Sequence, residues 1–180
     1  RAGAILSSYD WSEKPRQVSP NTPLGEYALN CVWQIAVTEP SDRVLAVEYF
    51  NAPRNHYFLT SDIDEIAALY AHVFAGWERT GETVGVLKPG TFPQEAFPVC
   101  RFYGLPSANL DTHFLSGTAS ECELLAQQPQ SWVLERTDAF RVGQIRFSDG
   151  RCPVNMKRVF RLWNGSAAVN HRYTVDAGTQ

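Results

Sequence analysis

Long apolar runs are missing from this chain. No stretch approaches the roughly 20 residues needed to cross a bilayer, which excludes a spanning helix. Runs of Lys or Arg are missing as well. Sixteen basic residues stand against nineteen acidic ones, a net charge of −3, so the phosphate-neutralising footprint of a nucleic-acid binder is absent. There is no C-x-x-C, H-E-x-x-H, P-loop, G-x-G-x-x-G or G-x-S-x-G, which removes the common metal, nucleotide and nucleophile-elbow signatures. No charged-then-apolar leader precedes Arg1, so the chain is read as a processed or excised product. Methionine is scarce too, one against five Trp. Rigid amphipathic rings serve cores, and they also serve binding surfaces.

What is present is ordinary for a globular protein. The 180 residues, 44% apolar and 19% charged, fit one domain that buries roughly 70% of its extended surface. The four Cys, an even number without metal-like spacing, point to disulfides and an oxidising compartment.

A repeat organises the chain. Val47–Asn51 and His56–Thr60 form one expected hairpin, Cys100–Gly104 and His113–Ser116 a second, and Phe160–Asn164 and His171–Thr174 a third. Between the strands lie loop formers: Asn51–Asn55, Gly104–Thr112 and Asn164–Asn170. His56, His113 and His171 recur at intervals of 57 and 58 residues. After the first two hairpins come capping-box patterns, Asp62-x-x-Glu65 and Thr118-x-x-Glu121. The first opens an amphipathic helix with Ile63, Ile66, Tyr70, Val73 and Phe74 on one face and Asp64, Glu65, Ala68 and the solvated His72 on the other. Strands starting at Trp77 and Trp132, whose rings are expected in the core, complete each unit, with further strands around Thr83–Leu87 and Phe140–Phe147.

The expected fold is α+β, predominantly β, with pseudo-threefold units of hairpin, helix and strand at about 44–92, 97–150 and 157–180. The last has no room for a helix. Residues 1–23, with Pro15 and Pro20, read as an arm, and 24–180 as a single domain. Strands at Gly25–Leu29 and Val32–Val37, within 24–40, either complete the third unit or form an independent extension. A β-trefoil-like closed arrangement is the alternative architecture, although helices inside the units do not suit it. Aligning the units places Cys100 opposite Val47 and Cys122 opposite Ile66. An inward strand residue and an inward helix residue should touch, so the expected bridges are Cys100–Cys122 and, by remainder, Cys31–Cys152.

From about Val44 to Asp176 the chain resembles a bacterial repeat family of unknown function. Its pattern is [VC]-x-R-F-Y-N, a short polar loop, [DN]-H-F-Y-T, an acidic-starting helix and a Trp strand. Cys100–Gly104 and Asn170–Thr174 are the closest pieces. The resemblance implies a secreted, periplasmic or cell-surface accessory domain. Two departures stand out: Glu48 occupies the Arg position, and the third unit is short.

Strand alternation puts Glu48, Phe50, Arg101, Tyr103, Arg161 and Trp163 on one face, one charge and one ring per hairpin. With His56, His113 and His171, the residues Phe50, Arg101, Tyr103, Arg161 and Trp163 are the candidate ligand site. Rings cover the apolar face of a sugar while Arg, His and Asn bond its hydroxyls. The other readings are a packing layer with the arginines paired to Glu135 or Glu78, histidines that fix the hairpin turns, and three imidazoles on one metal. No repeated carboxylate stands by to orient a metal's ligands, so neither metal nor cofactor is assigned. The expected function is a non-catalytic extracytoplasmic binding module for a glycan or cell-envelope polymer. The alternatives are a structural or protein-interaction subunit of a secreted assembly and a hydrolase with an unrecognised site.

Overall fold

A computed structural model of the chain describes residues 25–33, 42–91, 96–146, 150–165, 169–176 and 178. The expected arm at 1–23 and the ends of two expected strands, at Val37 and Phe147, lie outside them. The described residues are predominantly β, with two α-helices and antiparallel sheets that do not close into a barrel.

Three hairpins carry the architecture. The first joins β2 (Arg43–Asn51) to β3 (His56–Thr60), the second β6 (Cys100–Gly104) to β7 (Thr112–Ser116), and the third β10 (Met156–Trp163) to β11 (His171–Thr174). Val47 lies opposite Thr60, Cys100 opposite Ser116 and Phe160 opposite Thr174. All three hairpins feed one central core. Ala46 and Leu59 enter it from the first, Val99 and Leu115 from the second, and Val159 from the third, with Tyr173 packed against it. Strand β2 is therefore buried on both sides: Ala46 and Glu48 face inward, while Val47 and Tyr49 lie under a helix. This is why polar–apolar alternation is blurred there.

Each hairpin has a third strand against its first. For β2 it is β4 (Trp77–Leu87), and for β6 it is β8 (Trp132–Arg136). For β10 it is β1 (Gly25–Trp33), whose Gly25 pairs with Trp163. A register shift interrupts each of these three pairings. The break expected between Leu29 and Val32 is absent: Gly25–Trp33 is one strand, bulged between Ala28 and Asn30, and the remainder of the second expected strand, 34–37, lies outside the described residues. Short strands β5 (Ala96–Pro98) and β9 (Arg141–Gly143) join β1 and β4, giving the sheet order β11-β10-β1-β9-β4-β2-β3 with β5 on β9. The second sheet is β7-β6-β8.

Both expected disulfides form. Cys100–Cys122 ties β6 to helix α2 (Ala119–Ala126), and Cys31–Cys152 ties β1 to the residues leading into β10. Among the described residues no cysteine is free and no helix is long and apolar enough to cross a membrane. Trp132 is buried in the core under α2, as expected, and Trp77 packs half-buried beside Phe58.

Helix α1 (Ile63–Tyr70) departs from expectation. Leu69 and, in part, Ile66 face the protein, whereas Ile63, Tyr70, Val73 and Phe74 are exposed. The reason is at the N-terminus. Asp62 caps the helix through Asp64 N and Glu65 N, but Glu65 does not turn back to complete a capping box. It points inward to Thr60 and Arg101, which rotates the Ile63 stripe outward. The helix stops one turn earlier than its apolar pattern. Val73 N donates to Ala68 O and His72 N to Leu69 O, a Schellman ending with His72 at φ +55 in the place glycine favours.

Candidate ligand-binding site

The face expected to present one charge and one ring per hairpin is only partly open. Glu48, Arg101 and Arg161 are all buried, and each sits in a bidentate ion pair between hairpins. Arg101 meets Glu65 at 2.6 and 2.8 Å, joining the second unit to the first. Arg161 meets Glu121 at 2.6 and 3.1 Å, joining the third to the second. Arg172 meets Glu48 at 2.9 and 3.0 Å, joining the third to the first. Each carboxylate also accepts from a hydroxyl: Thr60 on Glu65, Ser116 on Glu121 and Thr80 on Glu48. Each guanidinium lies over a ring of the neighbouring hairpin: Arg101 over Phe58, Arg161 over Phe114 and Arg172 over Tyr57. Burial pushes the Glu65 carboxyl up, but hydrogen bonds from Arg101 and Thr60 outweigh it and hold the group below the usual range. These arginines are engaged within the protein and are not placed to bond a sugar. The anticipated pairing of Arg101 with Glu135 does occur, at 2.9 Å, beside the stronger one with Glu65. Arg161 pairs instead with Glu121.

The three histidines are not equivalent. Each hairpin's second strand ends in a hydroxyl residue that accepts from the N–H two residues on: Thr60 from Asp62, Ser116 from Thr118 and Thr174 from Asp176. Counted back from that residue, His56 is four positions away, and His113 and His171 are three. His56 stands level with Thr112 and Asn170, and Tyr57 stands level with His113 and His171. The one-residue offset follows from the shorter first turn, where Asn51 pairs directly with His56. His56 and His171 are buried, each with one ring nitrogen unpartnered. Burial lowers both, His171 to about 3. Among the described residues no three His, Cys, Asp or Glu side chains gather to hold a metal.

Correct register reveals what the sequence spacing concealed, a cross-strand ring pair in every hairpin. The pairs are Phe50–Tyr57, Tyr103–His113 and Trp163–His171. The third is closed by the burial of His171. In the first, the rings lie 4.6 Å apart, centre to centre, under Arg172.

The second pair has the richest surroundings. Tyr103 and His113 are half-buried, with ring centres 5.2 Å apart, and Phe58 lies 4.5 Å from His113 on its other side. The Tyr103 hydroxyl donates to Asp111 Oδ1 at 2.7 Å; burial, together with this carboxylate, pushes the phenol up to about 12. Arg54, from the first hairpin's turn, donates to the same carboxylate at 3.1 Å. Asp111 has φ +52, the left-handed turn conformation that Asp tolerates, which aims its carboxylate back at Tyr103. On the other flank Glu135 Oε2 lies 3.5 Å from His113 Nε2 and accepts from Arg101 Nε. Burial pushes Glu135 up, but His113 and Arg101 hold it below the usual range. Gly104 makes this hairpin end possible, since a Cβ there would meet Leu110 at 2.6 Å and the Trp132 ring at 2.9 Å. The outcome is a half-open pair of rings rimmed by two carboxylates and a guanidinium. It offers an apolar plane, acceptors for hydroxyl or amine groups, and one donor.

Of the expected site residues, the structure thus brings Tyr103 and His113 together at an open surface and leaves Phe50 at a second, plainer one. Trp163 is half-buried against the core under α2. Tyr57, Arg54 and Asp111 were missed by sequence reasoning. Counting back from the strand-ending Thr60, Ser116 and Thr174 would have found Tyr57. Nothing local signals that Arg54 and Asp111, 57 residues apart, meet. Compared with family models, with curated proteins and with solved structures, the chain matches none.

Proposed function

We propose that this chain is a non-catalytic, extracytoplasmic binding module whose ligand is a glycan or cell-envelope polymer. The observation that carries the reading is the Tyr103–His113 ring pair with Arg54, Asp111 and Glu135 on its rim. An aromatic plane edged by fixed acceptors and a donor matches a sugar ring, which has an apolar C–H face and hydroxyls around its edge. Phe50–Tyr57 serves as an accessory contact for a longer polymer. The two disulfides support an oxidising compartment.

The same proposal treats the three hairpins as units of one repeat about a pseudo-threefold axis, as in the bacterial family the sequence resembles. Strand β1 supplies the third unit's outer strand. The shared register, the three strand-ending hydroxyls and the three inter-hairpin ion pairs support this view.

The test is retention on insoluble chitin, cellulose and peptidoglycan, with affinity electrophoresis in soluble glycans. Wild-type protein is expected to be retained on at least one polymer. Tyr103→Ala and His113→Ala are expected to weaken binding by about tenfold or more, the loss of one stacked ring contact, with unfolding midpoints little changed. Absence of retention on every polymer at high protein concentration refutes the reading.

A further inference from the structure

The charges around the Tyr103–His113 ring pair do not cancel. Asp111 accepts from the Tyr103 hydroxyl and from Arg54, whose side chain is 56% exposed. Glu135 is held on one oxygen only. Its Oε2 accepts from Arg101 Nε at 2.9 Å and lies 3.5 Å from His113 Nε2, while among the described residues no donor reaches Oε1. Arg101 does not neutralise Glu135 alone, because the same buried guanidinium donates twice to Glu65. The neighbouring Arg136 is engaged by Asp62. Three carboxylates thus meet two guanidiniums, a surplus of one negative charge while His113 is neutral. The Tyr103 phenol registers the surplus: burial raises it first, Asp111 and Glu135 raise it further, and Arg54 opposes them. The strand also aims the acid. Arg101 lies opposite Arg136 and Phe102 opposite Leu134, so Glu135 is the extra residue of a bulge, and bulges redirect side chains. Counted from Trp77 and Trp132, the first unit carries Thr80 at this place. The fold therefore does not require an acid there.

We propose that Glu135 makes this a site for amino sugars whose nitrogen carries no acetyl group, with the ammonium on Glu135 Oε1 and the sugar ring against Tyr103. This rests on the Tyr103–His113 pair being the ligand site, and it names the class of sugar that site prefers. An ammonium brings three donors and no acceptor. The rim answers with carboxylate oxygens, and a hydrogen bond between charged groups is about twice as strong as a neutral one. A cation beside a ring face gains further. An acetamide instead brings a carbonyl, and the rim donor Arg54 is already on Asp111. A uronic acid would set another carboxylate beside the two on the rim.

The experiment is calorimetric titration of the intact, disulfide-bonded chain at pH 7, where an amine of this kind, like an α-amino group, is largely protonated. The probes are β-1,4-linked tetramers of glucosamine, N-acetylglucosamine and glucose, with tetralysine as a cation that has no sugar ring. Wild type is expected to bind the glucosamine tetramer about fivefold or more tighter than either neutral tetramer, and tighter than tetralysine. Glu135→Gln keeps an acceptor for Arg101, which retains Glu65. It is expected to bring the glucosamine tetramer to the level of the neutral ones, with their affinities and the unfolding midpoint little changed. Glu123→Gln removes the same charge from the exposed face of α2 and is expected to keep the preference. Equal affinity for the amino and acetylated tetramers, or an equal loss in both variants, overturns the inference and leaves the glycan reading standing. Tetralysine that binds as tightly as the glucosamine tetramer overturns it as well, since the site then reads charge alone. Absence of binding to every sugar tetramer at millimolar concentration overturns the glycan reading and the inference with it.

Discussion

The junction between the second and third hairpins and the junction between the third and first solve the same problem with opposite polarity. At the former, Arg161 comes from a first strand, and its partner Glu121 comes from the preceding unit's helix; side-chain exposures are 5 and 2%. At the latter the first-strand residue is the acid, Glu48, and the base is Arg172 on β11, 18% exposed. Exchanging the sign of charge keeps the junction paired. A buried pair contributes mainly by what its loss would leave behind, an unpaired charge in a dry place.

The largest losses are expected where a charge is left alone in the interior. Glu121→Gln or Arg161→Met should cost about 3–5 kcal/mol in urea unfolding with disulfides intact, since each strands a fully buried charge. Glu48→Gln, which leaves the Arg172 guanidinium nearer to solvent, should cost about 2 kcal/mol, whereas Arg172→Met leaves Glu48 as deeply buried as Glu121 and belongs with the larger losses. The reversed pair Glu48→Arg with Arg172→Glu should recover more than half of the summed single losses. Losses that simply add would show that the third junction does not depend on the pairing.

Acid sharpens the contrast. His171 lies in the buried junction beside Arg161, and desolvation followed by that positive charge lowers it from 6.5 to about 3. The unfolded chain then binds a proton that the folded one refuses. Stability is full above about pH 6.5 and declines as the pH falls toward 3, by a few kcal/mol in all. Buried His56 is lowered too and adds to the same slope. Glu65 and Glu135, held below 4.5, lose their contribution only at lower pH. Unfolding midpoints measured between pH 8 and pH 5 should therefore fall with a slope that His171→Phe reduces. An unchanged slope in that variant would place the titration elsewhere.

The smallest expected effect compares the two helix ends. The C-caps match, Ala71 at φ −78 and Gln127 at φ −81, but the next residue is His72 at φ +55 in α1, whereas the corresponding Gln128 in α2 is not left-handed. His72→Gly should raise stability by roughly 0.5–1 kcal/mol by relieving the left-handed strain, and Gln128→Gly should lower it.

Much of this was legible in the residues. The three hairpins, both helices, the Trp strands and both disulfides follow from turn formers, apolar spacing and one alignment of two units. The pairing of Cys100 with Cys122 could be read because Val47 and Ile66 hold the same places as ordinary core residues. The site was read less well. His56, His113 and His171 recur at intervals of 57 and 58 residues, yet one is out of register, because loop length and not sequence interval decides which residues face across a hairpin. The glutamates at 65 and 121 looked like capping residues because a capping box and an inward ion-pair anchor share one local pattern.

Local order, then, was settled by the sequence alone, since turns, periodicity and the strand-ending hydroxyls depend on near neighbours. Tertiary structure decided everything that joins one unit to the next. It set the ring of ion pairs, the meeting of Arg54 with Asp111, and the outward turn of the α1 stripe. Each of these rests on residues far apart in the chain, placed by the shared core of the three hairpins. The charges are buried, and a buried charge takes whichever partner the packing brings within reach.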